Sequence, residues 1–193
     1  MIVGLTGNIA CGKSLVSQYL KQKDIPVVDA DLIARKVVES ETEGLAKLIN
    51  VFGKEILLSS GELDRRKLGQ IVFSSVEKKA QLDNILAPLI LEELKKQLSS
   101  FKDEALVVAD IPLLFEQPEY LALVDEVWLV VANQEQQLER LIKRNGYERQ
   151  EALNRIMAQM PIEQKLSSAD VIIDNRGSKE ATLAQIEQLL ETI

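Results

Sequence analysis

Two apolar patterns alternate along the chain. Short unbroken apolar runs occur at Ile2-Val3-Gly4-Leu5-Thr6, at Ile25-Pro26-Val27-Val28-Asp29, at 105–109, at 126–131 and at Val171-Ile172-Ile173. Each reads as a strand with both faces covered. Leu15, Val16, Tyr19 and Leu20 recur at helical spacing, which predicts a helix from Gly12 or Lys13. Between the second and third strands, about seventy residues read almost wholly helical, over 32–38, 44–52, 65–73 and 77–98. That is too long for a simple crossover, so a helical subdomain inserted at the strand ends is expected. A second helical block covers 135–165 and a last helix about 178–190. The alternation predicts an α/β domain with a five-stranded, mainly parallel sheet flanked by helices. Its core is expected at about 1–30, 101–134 and 166–193, with the inserted subdomain at about 31–100.

Composition narrows the chemistry. The chain has 193 residues, 46% of them hydrophobic and 27% charged, which suits one globular domain. A net charge of -7 argues against broad nucleic-acid binding. No apolar run approaches a membrane span, and the first residues lack a signal-peptide shape. A single cysteine, Cys11, excludes an internal disulfide framework, and a cytoplasmic protein is expected. There is no histidine, so any proton acceptor must be a carboxylate, lysine, tyrosine or water.

Gly7-Asn8-Ile9-Ala10-Cys11-Gly12-Lys13-Ser14 satisfies G-x-x-x-x-G-K-[ST], directly after a strand and opening a helix. In such a P-loop, backbone N–H groups through Leu15 converge on phosphate oxygens, aided by the helix dipole. Gly7 is expected to permit the turn and Gly12 to allow close approach of backbone to phosphate. Lys13 adds a point charge for the β- and γ-phosphates, and the Ser14 hydroxyl suits Mg2+. Cys11 reads as a tolerated small residue rather than a redox group.

A guanine-reading Asn-Lys-x-Asp is absent, and Asp110 is followed by Ile111-Pro112-Leu113, not by a switch glycine. A small-molecule kinase fits better than a GTPase or motor ATPase. Its water-excluding lid would be the block 135–165, with Arg140, Lys143, Arg144, Arg149 and Arg155. Those arginines also suit a solvated, paired helix face. Asp29 and Asp31 follow the second strand, where a carboxylate can orient an attacking hydroxyl; Asp31 equally suits a helix N-cap. Asp110 fits either a carboxylate holding Mg2+ through water or a strand-end cap. Trp128 reads as core.

Several motifs in order resemble the dephospho-CoA kinase family over essentially the whole chain. They are 4–7 running into the P-loop; Asp29-Ala30-Asp31 with Ala34-Arg35; and Gly61-Glu62-Leu63-Asp64-Arg65 with Leu68 and Val72-Phe73. Then come Asp110-Ile111-Pro112-Leu113-Leu114-Phe115-Glu116; 137–141 with Arg144; Arg155 with Gln159; and Ala169-Asp170 with Ile173-Asp174-Asn175. The resemblance implies transfer of the ATP γ-phosphate to the ribose 3′-hydroxyl of dephospho-CoA. It implies Asp31 as base, and Arg140 with Arg144 at the ATP phosphates. Arg65 and Pro112-Leu113-Leu114 are implied on the acceptor side, and Asn175 and Gly177 near adenine. Nucleoside-monophosphate kinases share the core, and a nucleotide-sensing module is the non-catalytic alternative. The chain departs from the family at Ala87-Pro88, where His-Pro is frequent, and at Asn8, Ala10 and Cys11 of the loop.

Overall fold

The computed structural model describes Met1–Ile193. The five apolar runs become one fully parallel sheet. Strand β1 (Ile2–Gly7) lies at its centre, between β3 (Val107–Asp110) and β4 (Glu126–Val131). Strands β2 (Val27–Asp29) and β5 (Val171–Asp174) form the edges, giving the order β2-β3-β1-β4-β5. The register sets Leu5 beside Asp110 and Gly7 beside Val130, so the chemistry-bearing residues gather at the C-terminal ends of the strands.

Two strands begin later than expected. The third strand is 107–110 rather than 105–109, because pairing to the central strand begins at Ile2 with Val107. The Ala105 carbonyl instead accepts the Met1 amino group at 3.0 Å. The second strand loses Ile25, whose N–H closes the preceding turn on the Leu20 carbonyl, and Pro26, which has no N–H to donate.

The chain divides into two compact units. One comprises Met1–Asp29 with Leu98–Ile193, and the other Ala30–Gln97. In the first, helix α1 (Lys13–Gln22) buries Val16, Ser17 and Leu20. With Val3, Leu5, Val108, Trp128, Val130 and Ile173 these form the core. Trp128 is buried as expected, its indole N–H donated to Glu126.

The second unit holds α2 (Ala30–Lys36), α3 (Glu43–Phe52), α4 (Arg65–Phe73) and most of α5 (Val76–Ser99). Its own core contains Val38, Leu48, Phe52, Ile56, Leu68 and Val72. Thr42 and Asp64 cap α3 and α4 by accepting the N–H groups of Leu45 and Lys67.

In the first unit, β3 is followed by a short α6 (Pro118–Leu121) that the apolar pattern does not announce. The block 135–165 is three helices: α7 (Gln134–Asn145), α8 (Arg149–Met157) and α9 (Ile162–Leu166). Gly146, left-handed at φ 70°, ends α7, and Met160-Pro161 separates the other two. Leu138, Leu141, Ala152 and Ile156 form a small core onto which Ile9 and Ala10 of the loop pack. Helix α10 (Lys179–Leu190) closes the unit, capped by Ser178.

Candidate active site

The loop after β1 is shaped by two glycines, and the turn expected of Gly7 falls on Gly12. Gly12 carries the turn, at φ 99°, as the left-handed N-cap of α1. Gly7 instead serves close packing: a Cβ there would lie 2.7 Å from the Val130 carbonyl oxygen and against Cys11 Sγ. Ala10 is also left-handed, at φ 58°. No side chain caps α1 and its first turn carries no acid, so its leading N–H groups are left for an anion.

A loop whose amides converge on one side must present its carbonyls to the other, and each then needs a donor. Three consecutive carbonyls find one. Gln137 Nε2 donates to Ile9 O at 2.7 Å. Arg140 Nη1 donates to Ala10 O at 3.1 Å and Cys11 O at 3.0 Å. Asn175 Nδ2 donates to Cys11 O at 2.7 Å. Gln159 Oε1 accepts the Ile9 N–H at 2.6 Å, and Asn8 Nδ2 reaches Met160 O at 3.4 Å. Asn8, the bulky departure at the loop's second position, is thus turned into the helical block.

This geometry gives Arg140 and Asn175 partners other than nucleotide. The guanidinium of Arg140 holds the loop from outside, with a further 3.4 Å contact to Asn175 O. Asn175 is buried, its side-chain Oδ1 accepting from Thr182 at 2.9 Å while Nδ2 donates to the loop. Gly177 is exposed in the turn before α10. Arg144 is exposed and bonds Asn145. Arg149 and Arg155, undecided from sequence, pair with Glu135 and Glu151, and Arg155 also lies over the Tyr147 ring.

Lys13 is ion-paired with Asp110, which is almost completely buried at the end of β3. Burial pushes the Asp110 carboxyl above its usual value, against the pull of Lys13 and the Ser17 hydroxyl, and Asp29 adds repulsion. Burial likewise raises the Cys11 thiol, outweighing the Lys13 amide and the charges of Lys13, Arg140 and Lys165. A buried thiol held protonated is inert, which supports the structural reading of Cys11. Ser14 is exposed on the first turn of α1. Thr6 Oγ1 donates to Pro112 O at 3.1 Å; Leu113 is half exposed and Leu114 is fully buried.

In the helical unit, Asp31 is not the cap that the sequence allowed. Helix α2 starts at Ala30, so Asp31 sits exposed inside the first turn, favoured there by the helix dipole. Arg65 Nη2 donates to Arg35 O at 3.1 Å.

A hydroxyl and a carboxylate, Ser14 and Asp110, are hard oxygen donors of the kind Mg2+ takes. No group of three or more His, Cys, Asp or Glu side chains forms a protein cage for a metal. That donor set fits an ion bound chiefly through phosphate and water.

Sequence reasoning quoted Gln137 and Gln159 only as parts of motifs. A signal for Gln137 was present: it is a polar residue beside Leu138 and Leu141, on the face that α7 buries.

A parallel sheet in this strand order, with an amide-lined loop between its central strand and first helix, defines a P-loop kinase-type protein. Comparison with known proteins is more specific. The dephospho-CoA kinase family model matches residues 1–181. A dephospho-CoA kinase of Carboxydothermus hydrogenoformans is 47% identical over 192 residues, covering 98% of this chain and 93% of that protein. A crystal structure from Thermus thermophilus superposes with a TM-score of 0.84 at 35% identity, over 100% of this chain and 97% of that one. The dephospho-CoA kinase from Campylobacter jejuni gives 0.75 at 29% identity, over 99% and 98%. The chain belongs to the dephospho-CoA kinase family.

Proposed function

We propose that this chain transfers the γ-phosphoryl group of ATP to the ribose 3′-hydroxyl of dephospho-CoA. The product is coenzyme A, and the reaction is the last step of its biosynthesis. The observation that carries the reading is the family match over residues 1–181, which takes in far more than the phosphate loop. No helix is long and apolar enough to cross a membrane, in keeping with a cytoplasmic enzyme acting on two soluble substrates.

In this reading, the loop from Gly7 to Leu15 binds the β- and γ-phosphates through those N–H groups that no protein acceptor holds, and Lys13 leaves Asp110 to meet them. Mg2+ would be held by the Ser14 hydroxyl and, through water, by Asp110, and would offset charge on the β- and γ-oxygens. Asp31 takes or orients the proton of the 3′-hydroxyl as that oxygen attacks. Arg65 and Pro112 to Leu114 serve the acceptor. Arg140 supplies positive charge at the loop; its Nη1 holds Ala10 O and Cys11 O, which leaves Nε and Nη2 to meet a phosphate. Arg144 stands with Arg140 on the phosphate side, and Gly177 and the backbone at Asn175 take the adenine end of ATP. Helices α7 to α9 act as the lid that excludes water.

The test is product analysis after incubation with ATP, Mg2+ and dephospho-CoA, run in parallel with AMP, CMP and UMP as acceptors. Coenzyme A and ADP in equal amounts are expected. Phosphorylation of a nucleoside monophosphate alone overturns the assignment.

A further inference from the structure

Lys165, on α9, is completely buried, yet it carries a charge. Its ammonium lies 2.9 Å from Glu116 Oε1, and no hydrogen-bonding geometry to any protein group is met at Nζ. The second carboxylate oxygen, Glu116 Oε2, is also buried without a partner. A buried ion pair with unfilled hydrogen-bonding capacity is a poor source of stability, since a well-packed apolar pair of similar volume does as well or better. Its presence therefore calls for another role, and its position supplies one.

Glu116 ends the stretch that follows β3, which carries Asp110 at its start and Pro112 to Leu114 in its middle. The near end of that stretch is fixed by Thr6 on Pro112 O and by Ile111 N–H on Leu5 O. The far end has the Lys165 contact. Lys165 belongs to the same helical block as Gln159 and Met160, which hold Ile9 and Asn8 of the phosphate loop. The charge of Lys165 also reaches Cys11 within that loop.

We propose that the Lys165–Glu116 pair is a buried strut that positions the 110–116 stretch against the phosphate loop, making Lys165 and Glu116 positioning residues for phosphoryl transfer. This rests on the reading that Pro112 to Leu114 serve the acceptor. Loss of the strut then acts on the acceptor side of the reaction more than on nucleotide binding.

Four proteins are compared: wild type, Lys165→Met, Glu116→Gln and the double variant. Lys165→Met alone leaves a buried carboxylate unpaired, so its melting temperature and turnover both fall. The double variant, Lys165→Met with Glu116→Leu, replaces the pair by apolar side chains and regains the wild-type melting temperature. Its kcat nonetheless stays about tenfold or more down, KM for dephospho-CoA rises, and ATP affinity remains within about threefold. A double variant that recovers wild-type kcat and KM overturns the proposal, because the pair is then packing only. Glu116→Gln keeps the side-chain volume and one acceptor and is the check should Lys165→Met fail to fold. It should lose about threefold or more in turnover with ATP affinity kept, and a wild-type rate also overturns the proposal. If wild type itself does not phosphorylate dephospho-CoA, the proposed function fails instead. The strut is then judged by the same variant-to-wild-type ratios with the acceptor that wild type does use.

Discussion

Asn175→Asp is the sharpest probe of how the phosphate loop is held. The substitution is isosteric and keeps the acceptor that Thr182 Oγ1 uses at 2.9 Å. It removes only the Nδ2 donor to Cys11 O at 2.7 Å and sets a carboxylate oxygen against that carbonyl. Cys11 O keeps Arg140 at 3.0 Å, so the lost hydrogen bond alone costs about 0.5–1.5 kcal/mol. Burying an ionised carboxylate beside a carbonyl brings the total to about 2–4 kcal/mol. For a chain of this size that lowers the melting temperature by roughly 4–16 °C. Because the loop amides are displaced with the carbonyls, ATP affinity should fall about tenfold or more, read by calorimetry. A variant that melts within two degrees of wild type at pH 8 and binds ATP normally refutes the carbonyl clamp.

Three further outcomes are expected. Asp31→Asn should keep ATP affinity within about threefold while kcat drops by about a hundredfold or more, as measured by coupled ADP release; retention of most of the rate removes Asp31 as base. Gly12→Ala puts a Cβ against Asn175 at a φ of 99°, costing about 1–2 kcal/mol from backbone alone, and should weaken ATP binding measurably by titration calorimetry. Asp110 has a folded pKa raised by burial, so its contribution to stability is greatest below its unfolded value and is lost as pH rises through the folded one. Asp110→Asn should flatten that decline in melting temperature as pH rises above the unfolded value, yet lower the rate at saturating Mg2+.

The sheet was legible because parallel strands covered on both faces read as unbroken apolar runs, as at 126–131. Their ends were less so. Whether Asp110 is in a strand depends on pairing with Leu5, a residue 105 positions earlier, and no local pattern records that. The helical block read as one piece because Leu138, Leu141, Ala152 and Ile156 share one small core across two helices. Only the left-handed turn at Gly146 separates those helices from their shared pattern. Asp31 looked like a cap because a carboxylate just before an apolar helical run is the usual signal. The helix in fact starts at Ala30, directly after the last strand residue, so the cap position falls on Asp29 or not at all.

The phosphate loop was legible on one side only. The pattern G-x-x-x-x-G-K-[ST] encodes which backbone amides face the anion, because that requires glycines and a lysine at fixed local spacing. The carbonyl side has no fixed spacing, since Gln137, Arg140 and Asn175 come to the loop from 128 to 164 residues away. That asymmetry bears on Arg140. Nη1 of Arg140 spends both its N–H bonds on Ala10 O and Cys11 O, so a phosphate is met by Nη2 or Nε with the clamp intact, or by Nη1 with the clamp released. If an incoming triphosphate draws Arg140 away, Ala10 O loses its side-chain donor, but Cys11 O keeps Asn175 and Ile9 O keeps Gln137. The loop therefore retains two of its three clamped carbonyls through the exchange. Cys11 O carries two donors, so its direction does not depend on Arg140 alone.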